Sequence, residues 1–300
     1  MNDDLRYVYA VCRPFAAPLH ADLTGVGGAP PRRLAHEGLV AVVSPVPERD
    51  FGREALRAHL EDLAWLAETA RAHQNVVAAL ATVTCPLPLR LATVFHDDSG
   101  VRAMLEDESE RLHRILDRID GHVEWGVKVW LGAATGDGDG GVGGDADAPG
   151  ADAASAPRAP RSGRDYLRCR RAGNAAREEA LARAEVFTRR LHGDLARYAA
   201  DARLHPVQSG PLTDAGAGRN ILNSAYLVPR TWSEEFLELI GRTQGTRPGL
   251  RVEVTGPWAA YSFTDDPGLT DDPGLTDDPG AGETPHGGEG AARQDVGGAP

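Results

Sequence analysis

Two residues have side chains suited to catalysis and stand beside apolar segments. His73 precedes the apolar stretch 74–80, where an imidazole could act as a general base. Arg90 lies inside the apolar run LPLRLATVF (87–95), where a guanidinium could bind an anion. The structural alternatives are a histidine at the edge of the core, and an arginine that reaches solvent or pairs with a buried carboxylate. An enzyme that uses His73 and Arg90 on a small anionic substrate is therefore one hypothesis.

No other chemical site assembles from the sequence. Ser209 follows an extended segment, but Val207 replaces the first glycine of a nucleophile elbow. The ten histidines include no H-E-x-x-H pattern, and the three cysteines form no C-x-x-C pair. GGVGGD (140–145) matches half of a calcium-binding β-roll repeat, but a single copy has no neighbour to stack on. We expect no catalytic residue, metal or cofactor from these features.

The acidic character of the chain is concentrated in two segments. The net charge is −12, of which −8 falls in 264–300 and −3 in 133–163. The remainder is nearly neutral, which argues against a nucleic-acid partner. The first residues, MNDDLRYVYA, are too acidic for a signal peptide, and no apolar run approaches the ~20 residues of a membrane span. The sequence therefore predicts a soluble cytoplasmic protein that binds neither nucleic acid nor membrane.

The hydrophobic patterning predicts two α+β domains with helices packed on mostly antiparallel sheets, resembling modified ferredoxin-like folds. The N-terminal domain (1–132) has predicted strands at 5–12, 39–44 and 123–131, extended structure at 87–95, and helices at 53–70, 73–80 and 101–119. The loop before the second strand is expected to run through Arg33. Glu124 and Lys128 share one face of the strand 123–131, where an ion pair on the solvated side is the default interpretation.

The second half is predicted to consist of a linker, a domain and a tail. Residues 133–163 are Gly, Asp, Ala and Pro with almost nothing apolar, which is typical of a disordered linker. The C-terminal domain (164–263) begins with a helix over 164–203, which Gly173 and Asn174 could interrupt. Extended structure at 204–208, a strand at 221–228, a helix at 233–244 and strands at 250–255 and 258–263 follow. The repeats of Thr-Asp-Asp-Pro-Gly open a disordered acidic tail, 264–300.

Six segments, taken together, carry a resemblance to a known family. In chain order they are YVYAV (7–11), His73-x-x-Val76 followed by LPLRLATVF, EWGVKVWL (124–131), GRDYL (163–167), NSAYLVPR (223–230) and GPWAAYSF (256–263). Their order over most of 5–263 is similar to the gas vesicle protein L/F family (GvpL/GvpF). One departure is Leu91-Ala92, where the family often has Phe-Gly. Either the freedom of glycine is not needed at this turn, or the turn is built differently.

The resemblance implies a role in building gas vesicles, the gas-filled protein shells made chiefly of a small hydrophobic structural protein. Members resemble accessory or minor shell-associated components that bind this protein, limit its aggregation during nucleation and work with other accessory proteins; no enzymatic activity is implied. Such a role requires an apolar or edge-strand surface. The candidate partner-binding residues are Tyr226, Trp258, Tyr261 and Phe263, and the alternative is that these aromatics fill the core of the second domain.

Overall fold

The computed structural model describes residues 4–59, 61–132, 163–207 and 218–265. These described residues belong to one compact unit. The predicted linker lies outside the described residues except for Gly163, and the predicted tail lies outside them except for Thr264 and Asp265. Within the described chain the fold is α+β with two antiparallel sheets, as the sequence predicts. The division into two ferredoxin-like domains stays a prediction.

The first sheet is built around strand β1 (Asp4–Cys12), with β3 (Leu39–Pro47) on one side. β2 (Arg32–His36) extends the sheet beyond β3, and β4 (Leu87–Pro88) and β5 (Val94–Phe95) pair with the other side of β1. All these pairings are antiparallel. The sequence prediction missed β2, because its arginine-rich residues resemble a loop and lack the apolar alternation of a buried strand.

Helices cover both faces of the first sheet. Their bounds are α1 (Glu48–Phe51), α2 (Arg53–His59), α3 (Leu63–Ala81), α4 (Asp98–Asp107) and α5 (Ser109–Ile119). Side chains of α3 pack with Tyr7 and Tyr9, whereas those of α4 and α5 pack with Val8 and Val11. Neighbouring side chains of a strand point to opposite faces, and a register shift between Val8 and Ala10 brings Val11 to the face of Val8. The predicted helix 53–70 breaks before Asp62, whose carboxylate caps α3 by accepting N–H bonds at 2.9 and 3.2 Å.

The second sheet has the order β7-β8-β6-β9. Its strands are β6 (His122–Leu131), β7 (Asp201–Leu204), β8 (Arg219–Pro229) and β9 (Leu250–Trp258). β6 follows the N-terminal helices in the chain, and the sequence places it with their domain, yet it pairs with β8 and β9. Alternation identifies a strand but not its partner, so the sequence could not reveal this long-range pairing.

Two helices, α6 (Gly163–Ala196) and α7 (Ser233–Thr243), pack on one face of the second sheet. Gly173 and Asn174 do not interrupt α6. The helix ends before the predicted limit because Asp201–Leu204 pairs with β8 as a strand. Residues 258–263, predicted as a strand, form the end of β9 and a short 3₁₀ turn, Tyr261–Phe263.

One core joins the two sheets. Ala225 and Leu227 of β8 pack in the same cluster as Val8 and Val11 of β1. Ala260 and Phe263 lie in that cluster as well, so the chain returns to the first sheet after β9 ends. The last described residues therefore fasten the C-terminal half to the N-terminal half.

Candidate functional site

His73 lies on α3 in a nest of aromatic rings. Its side chain is only 4 % exposed, and its Nδ1 is 3.0 Å from the Tyr7 hydroxyl. The rings of Tyr7, Tyr9 and Tyr261 have centroids 5.8, 5.6 and 6.3 Å from that of His73. Burial lowers the pKa of His73 to about 4, because the charged imidazolium is poorly solvated there. A neutral, enclosed histidine fits the structural interpretation of this residue.

Arg90 lies on an exposed turn between β4 and β5. Its carbonyl accepts hydrogen bonds from the Thr93 amide and hydroxyl at 3.3 and 2.7 Å. The expected buried ion pair is therefore wrong, and the alternative that the side chain reaches solvent is correct. The Ala92 amide of the same turn donates to the Tyr7 hydroxyl at 3.2 Å. Tyr7 thus connects the turn to His73, but one candidate is buried and the other faces water.

Ala92 shows how the turn is built without a glycine. Its φ is 63°, in the left-handed region that a Cβ atom disfavours. The conformation that suits glycine is therefore present, and alanine adopts it. Of the two alternatives that the sequence left open at Leu91-Ala92, the one in which glycine's freedom is not needed is wrong.

The four aromatic candidates for partner binding do not share one surface. Tyr226 is fully buried on β8, where its hydroxyl meets Nδ1 of His192 at 2.8 Å. Phe263 is fully buried in the core between the sheets, and half-buried Tyr261 packs beside His73. Trp258, at the end of β9, is 41 % exposed. Of the four, only Trp258 presents a large part of its ring to solvent.

Residues 259–265 form a segment that we call the clasp, because polar side chains from both halves hold its backbone. Arg118 of α5 donates to the carbonyl oxygens of Phe263 and Asp265. Arg111 of the same helix donates to the Thr264 carbonyl at 3.2 Å. From the second sheet, the Arg203 guanidinium donates to the Asp265 carbonyl at 3.4 Å and lies 5.4 Å from the Phe263 ring centroid.

Glu124 of β6 anchors the middle of the clasp. Its carboxylate is 7 % exposed and accepts hydrogen bonds from the amide and the hydroxyl of Ser262, both at 2.7 Å. The prediction that Glu124 forms a solvated ion pair with Lys128 is therefore wrong. Burial raises the pKa of Glu124, opposed by the bonds from Ser262 and the charge of Arg203. Spacing along one strand gave no sign of this partner, which comes from the far end of the chain.

Both sheets have edge strands. In the first sheet, β2 is five residues long and carries two exposed arginines, and β4 and β5 have two residues each. In the second sheet, β7 has four residues and β9 has nine. Among the described residues no strand pairs with the outer side of β9. Of the edge strands that the structure describes, β9 is therefore the longest, and it ends at the exposed Trp258.

Neither a metal-binding cluster nor a membrane-spanning helix is found in the described ranges. No three His, Cys, Asp or Glu side chains among them come together in a way that could hold a metal ion. The helices of the same ranges are all too short or too polar to cross a bilayer.

Solved structures share this fold. A crystal structure of the gas vesicle protein GvpF from Anabaena sp. PCC7120 matches with a TM-score of 0.58 at 18 % identity, over 87 % of this chain and 96 % of that one. The GvpF structure from Microcystis aeruginosa matches with a TM-score of 0.56, also at 18 % identity, over 88 % and 99 % of the two chains. At this identity the matches establish the fold alone.

Sequence relatives give the closer relationship. The chain is 50 % identical to Gas vesicle protein L of Streptomyces sp. (strain CB03234) over 264 residues, which cover 87 % of this chain and 93 % of the relative. It is 29 % identical to Gas vesicle protein F of the same strain, over 86 % and 99 % of the two chains. The family model for gas vesicle synthesis protein GvpL/GvpF matches residues 5–265. The resemblance drawn from the six motifs is thus confirmed, and the chain belongs to the GvpL/GvpF family of gas vesicle proteins.

Proposed function

We propose that the chain is an accessory or minor shell-associated protein of gas vesicle assembly, which binds the hydrophobic structural protein and limits its aggregation during nucleation. Family membership supports the connection with gas vesicles. In this proposal the chain works in the cytoplasm and on the vesicle, together with other accessory proteins. It has no enzymatic activity and needs no nucleic acid or membrane.

The open edge of β9 is the observation that supports a binding role best. An unpaired edge exposes backbone N–H and C=O groups to which an extended segment of another protein can add as a further strand. Residues 250–255 pair with β6 in unbroken register and offer a longer template than β2 or β7, whereas Pro257, beyond the register shift, has no N–H to donate. The two charged side chains of β9 already have partners within the chain. Arg251 and Glu253 form an ion pair at 3.6 Å, and the Trp130 indole donates a hydrogen bond to Glu253 at 3.0 Å.

Trp258 is the aromatic residue that would contact the bound protein directly. Its indole is exposed where β9 ends, and aromatic side chains combine a large apolar area with few rotatable bonds. Tyr226, Tyr261 and Phe263 contribute to the same surface indirectly, because they fix β8 and the clasp from inside. We therefore propose Trp258 as the contact residue and the other three as its support.

The alternative of an enzyme acting through His73 and Arg90 has less support. Aromatic rings enclose His73, so a substrate has no direct access to its imidazole in this conformation. Its pKa of about 4 also makes it a weak base. The tyrosine contacts of His73 and the exposed turn of Arg90 agree with structural roles.

Mixing purified chain with the gas vesicle structural protein tests the proposal. We expect the chain to co-purify with the structural protein and to slow the rise of its light scattering during dilution from denaturant. Trp258→Ala should weaken both effects about tenfold, because it removes the exposed aromatic at the edge. Trp232→Ala is the matched control: this tryptophan is 50 % exposed but belongs to the turn before α7.

The outcomes test the proposed role and the proposed binding surface on β9 independently. If the unaltered chain neither binds the structural protein nor delays its aggregation, the proposed role is wrong. If it does both, but the Trp258 and Trp232 variants behave alike, the role stands and the β9 surface is wrong.

A further inference from the structure

A second surface lies at the other end of β9, where α6 passes over the ends of β6 and β9. The space between them is an open groove of about 480 Å³. Its lining is mostly apolar and includes Leu131, Ala180, Val186, Phe187, Pro248 and Leu250. Val186 is 47 % exposed, which is unusual for a valine beside the core. The groove thus exposes apolar side chains that this chain does not cover with any residue the structure describes.

The rim of the groove is basic. Arg183, Arg190 and Arg247 line it together with a single acid, Glu179. Glu179 is engaged by Arg183 at 2.5 Å. Among the described residues, Arg190 and Arg247 form no ion pair. The apolar groove is therefore flanked by two arginines whose charges are free to meet carboxylates of a partner.

The segments of this chain outside the described ranges suit the groove poorly. Its floor needs several large apolar side chains, yet 133–162 contains only Val142, and 208–217 only Leu212. Residues 266–300 contain Leu269, Leu275 and Val296, which are separated by prolines, glycines and aspartates. These segments have the acidic residues but lack an apolar face. A separate protein is the better occupant.

The shape of the groove favours a helix over a strand. One wall is the side of α6 from Ala180 to Arg190, a length of about 15 Å. The backbone of a helix is already hydrogen-bonded internally, so this wall offers no partner to the backbone of an extended segment. An amphipathic helix satisfies its own backbone and needs only an apolar surface, which matches what the groove provides. A stretch of 15 Å corresponds to about three helical turns.

We propose that this groove binds an amphipathic helix of a partner protein, whose apolar face covers Val186, Phe187 and Leu250 and whose flanking carboxylates pair with Arg190 and Arg247. The groove meets β9 only at its first residue, Leu250, whereas Trp258 lies at the other end of the strand. The chain would then hold two partners, or two parts of one partner, at opposite ends of the same strand.

Two synthetic peptides test this inference by fluorescence anisotropy. Both are 18 residues long with leucine and alanine along one helical face; one carries glutamate on the flanks and the other lysine. We expect the glutamate peptide to bind the full chain at least tenfold more tightly than the lysine peptide. The charge reversal Arg190→Glu with Arg247→Glu should invert this preference, so that the glutamate peptide binds more weakly and the lysine peptide more tightly.

The matched control is Arg171→Glu with Arg189→Glu, which reverses two exposed charges on α6 outside the groove lining. It should change the affinity for either peptide less than twofold. Val186→Asp should abolish binding while leaving the melting temperature within a few degrees, because the side chain is half exposed. Trp258→Ala should leave peptide binding unchanged, which separates this test from that of the proposed function.

Three results would overturn the inference. The first is equal or absent binding of the two peptides to the unaltered chain. The second is an equal loss in the groove variant and in its control. The third is a dimer in sedimentation experiments that the groove variant dissociates, since a second copy of the chain would then be the occupant.

Discussion

The carboxylate of Glu124 accepts two hydrogen bonds from Ser262, a residue 138 positions later in the chain. Glu124 belongs to the second sheet, whereas the neighbour of Ser262, Phe263, is buried in the core shared with the first sheet. One residue pair thus links the central strand of one sheet to the segment that locks both sheets together. His205 adds a third contact, at 3.1 Å from the Ser262 hydroxyl.

Removing the Ser262 hydroxyl should destabilise the whole fold. Ser262→Ala leaves the amide bond to Glu124 but deletes the bond from the hydroxyl, and the buried carboxylate loses one of its two donors. We expect the free energy of unfolding in urea to fall by about 2 kcal/mol. Ser99→Ala, at an exposed position on α4, should change it by less than about 0.5 kcal/mol. Equal losses at both positions would contradict this account of the clasp.

Replacing Phe263 by alanine should cost far more stability than replacing Trp258. Phe263→Ala empties a fully buried site between the sheets, and we expect a loss of about 3–5 kcal/mol in the free energy of unfolding. Trp258→Ala removes a partly exposed ring and should cost much less, although the ring also shields Gly256, whose ideal Cβ position lies 3.4 Å from it. Chemical denaturation measures the free energy of unfolding of both variants. A larger cost at Trp258 would show that the core assignment of Phe263 is wrong.

Removal of the acidic tail should leave the fold intact. A chain that ends at Asp266 keeps the contacts of Arg111, Arg118 and Arg203 with the clasp, and the deleted residues contain few large apolar side chains. Its melting temperature should match that of the full chain within about 2 °C. A chain that ends at Trp258 loses the clasp, and it should melt far lower or fail to fold. A large drop for the longer truncation would be the contradictory result.

Ala92 offers a site where glycine should be better than alanine. Its φ of 63° costs an L-residue about 1 kcal/mol, while glycine adopts it freely. The greater freedom of glycine in the unfolded chain offsets part of the gain, so we expect Ala92→Gly to stabilise the fold by up to about 1 kcal/mol. Ala78→Gly, at an exposed position inside α3, should instead destabilise it by about 1 kcal/mol. If both substitutions destabilise equally, the turn tolerates alanine without strain.

Local sequence signals predicted where strands and helices form better than they predicted which of these elements pack or pair with one another. The alternation in VEWGVKVWL correctly indicated a strand, and the DDSG sequence contains Asp97, which caps α4. The pairing of β6 with β8 and β9, and the hydrogen bonds that Ser262 donates to Glu124, join residues that are far apart in the chain. One sequence carries no record of such contacts. The same limit applies to the candidate site. GPWAAYSF was recognisable as a motif, but its pattern does not reveal that Trp258 faces solvent while Phe263 is buried.

His73 should make the stability of the fold depend on pH in the mildly acidic range. Its pKa is 6.5 in the unfolded chain and about 4 in the fold, so the unfolded state takes up the proton first as the pH falls. The contribution of neutral His73 is therefore fully present above pH 6.5 and is lost between about 6.5 and 4, to a total of at most about 3 kcal/mol. The contribution of Glu124 to stability depends on pH in the opposite direction, because the pKa of Glu124 is raised in the fold.

Comparison with His73→Asn isolates this contribution, since Glu124 and the other titrating groups are common to both proteins. Asparagine has no titrating side chain, and its amide oxygen can accept the hydrogen bond from Tyr7. Unfolding free energies measured from pH 7.5 to 4 should fall more steeply in the unaltered chain than in the variant, so that the difference between them narrows toward pH 4. Parallel profiles would mean that His73 is protonated as easily in the fold as in the unfolded chain, and that its enclosure by the three tyrosines opens in solution.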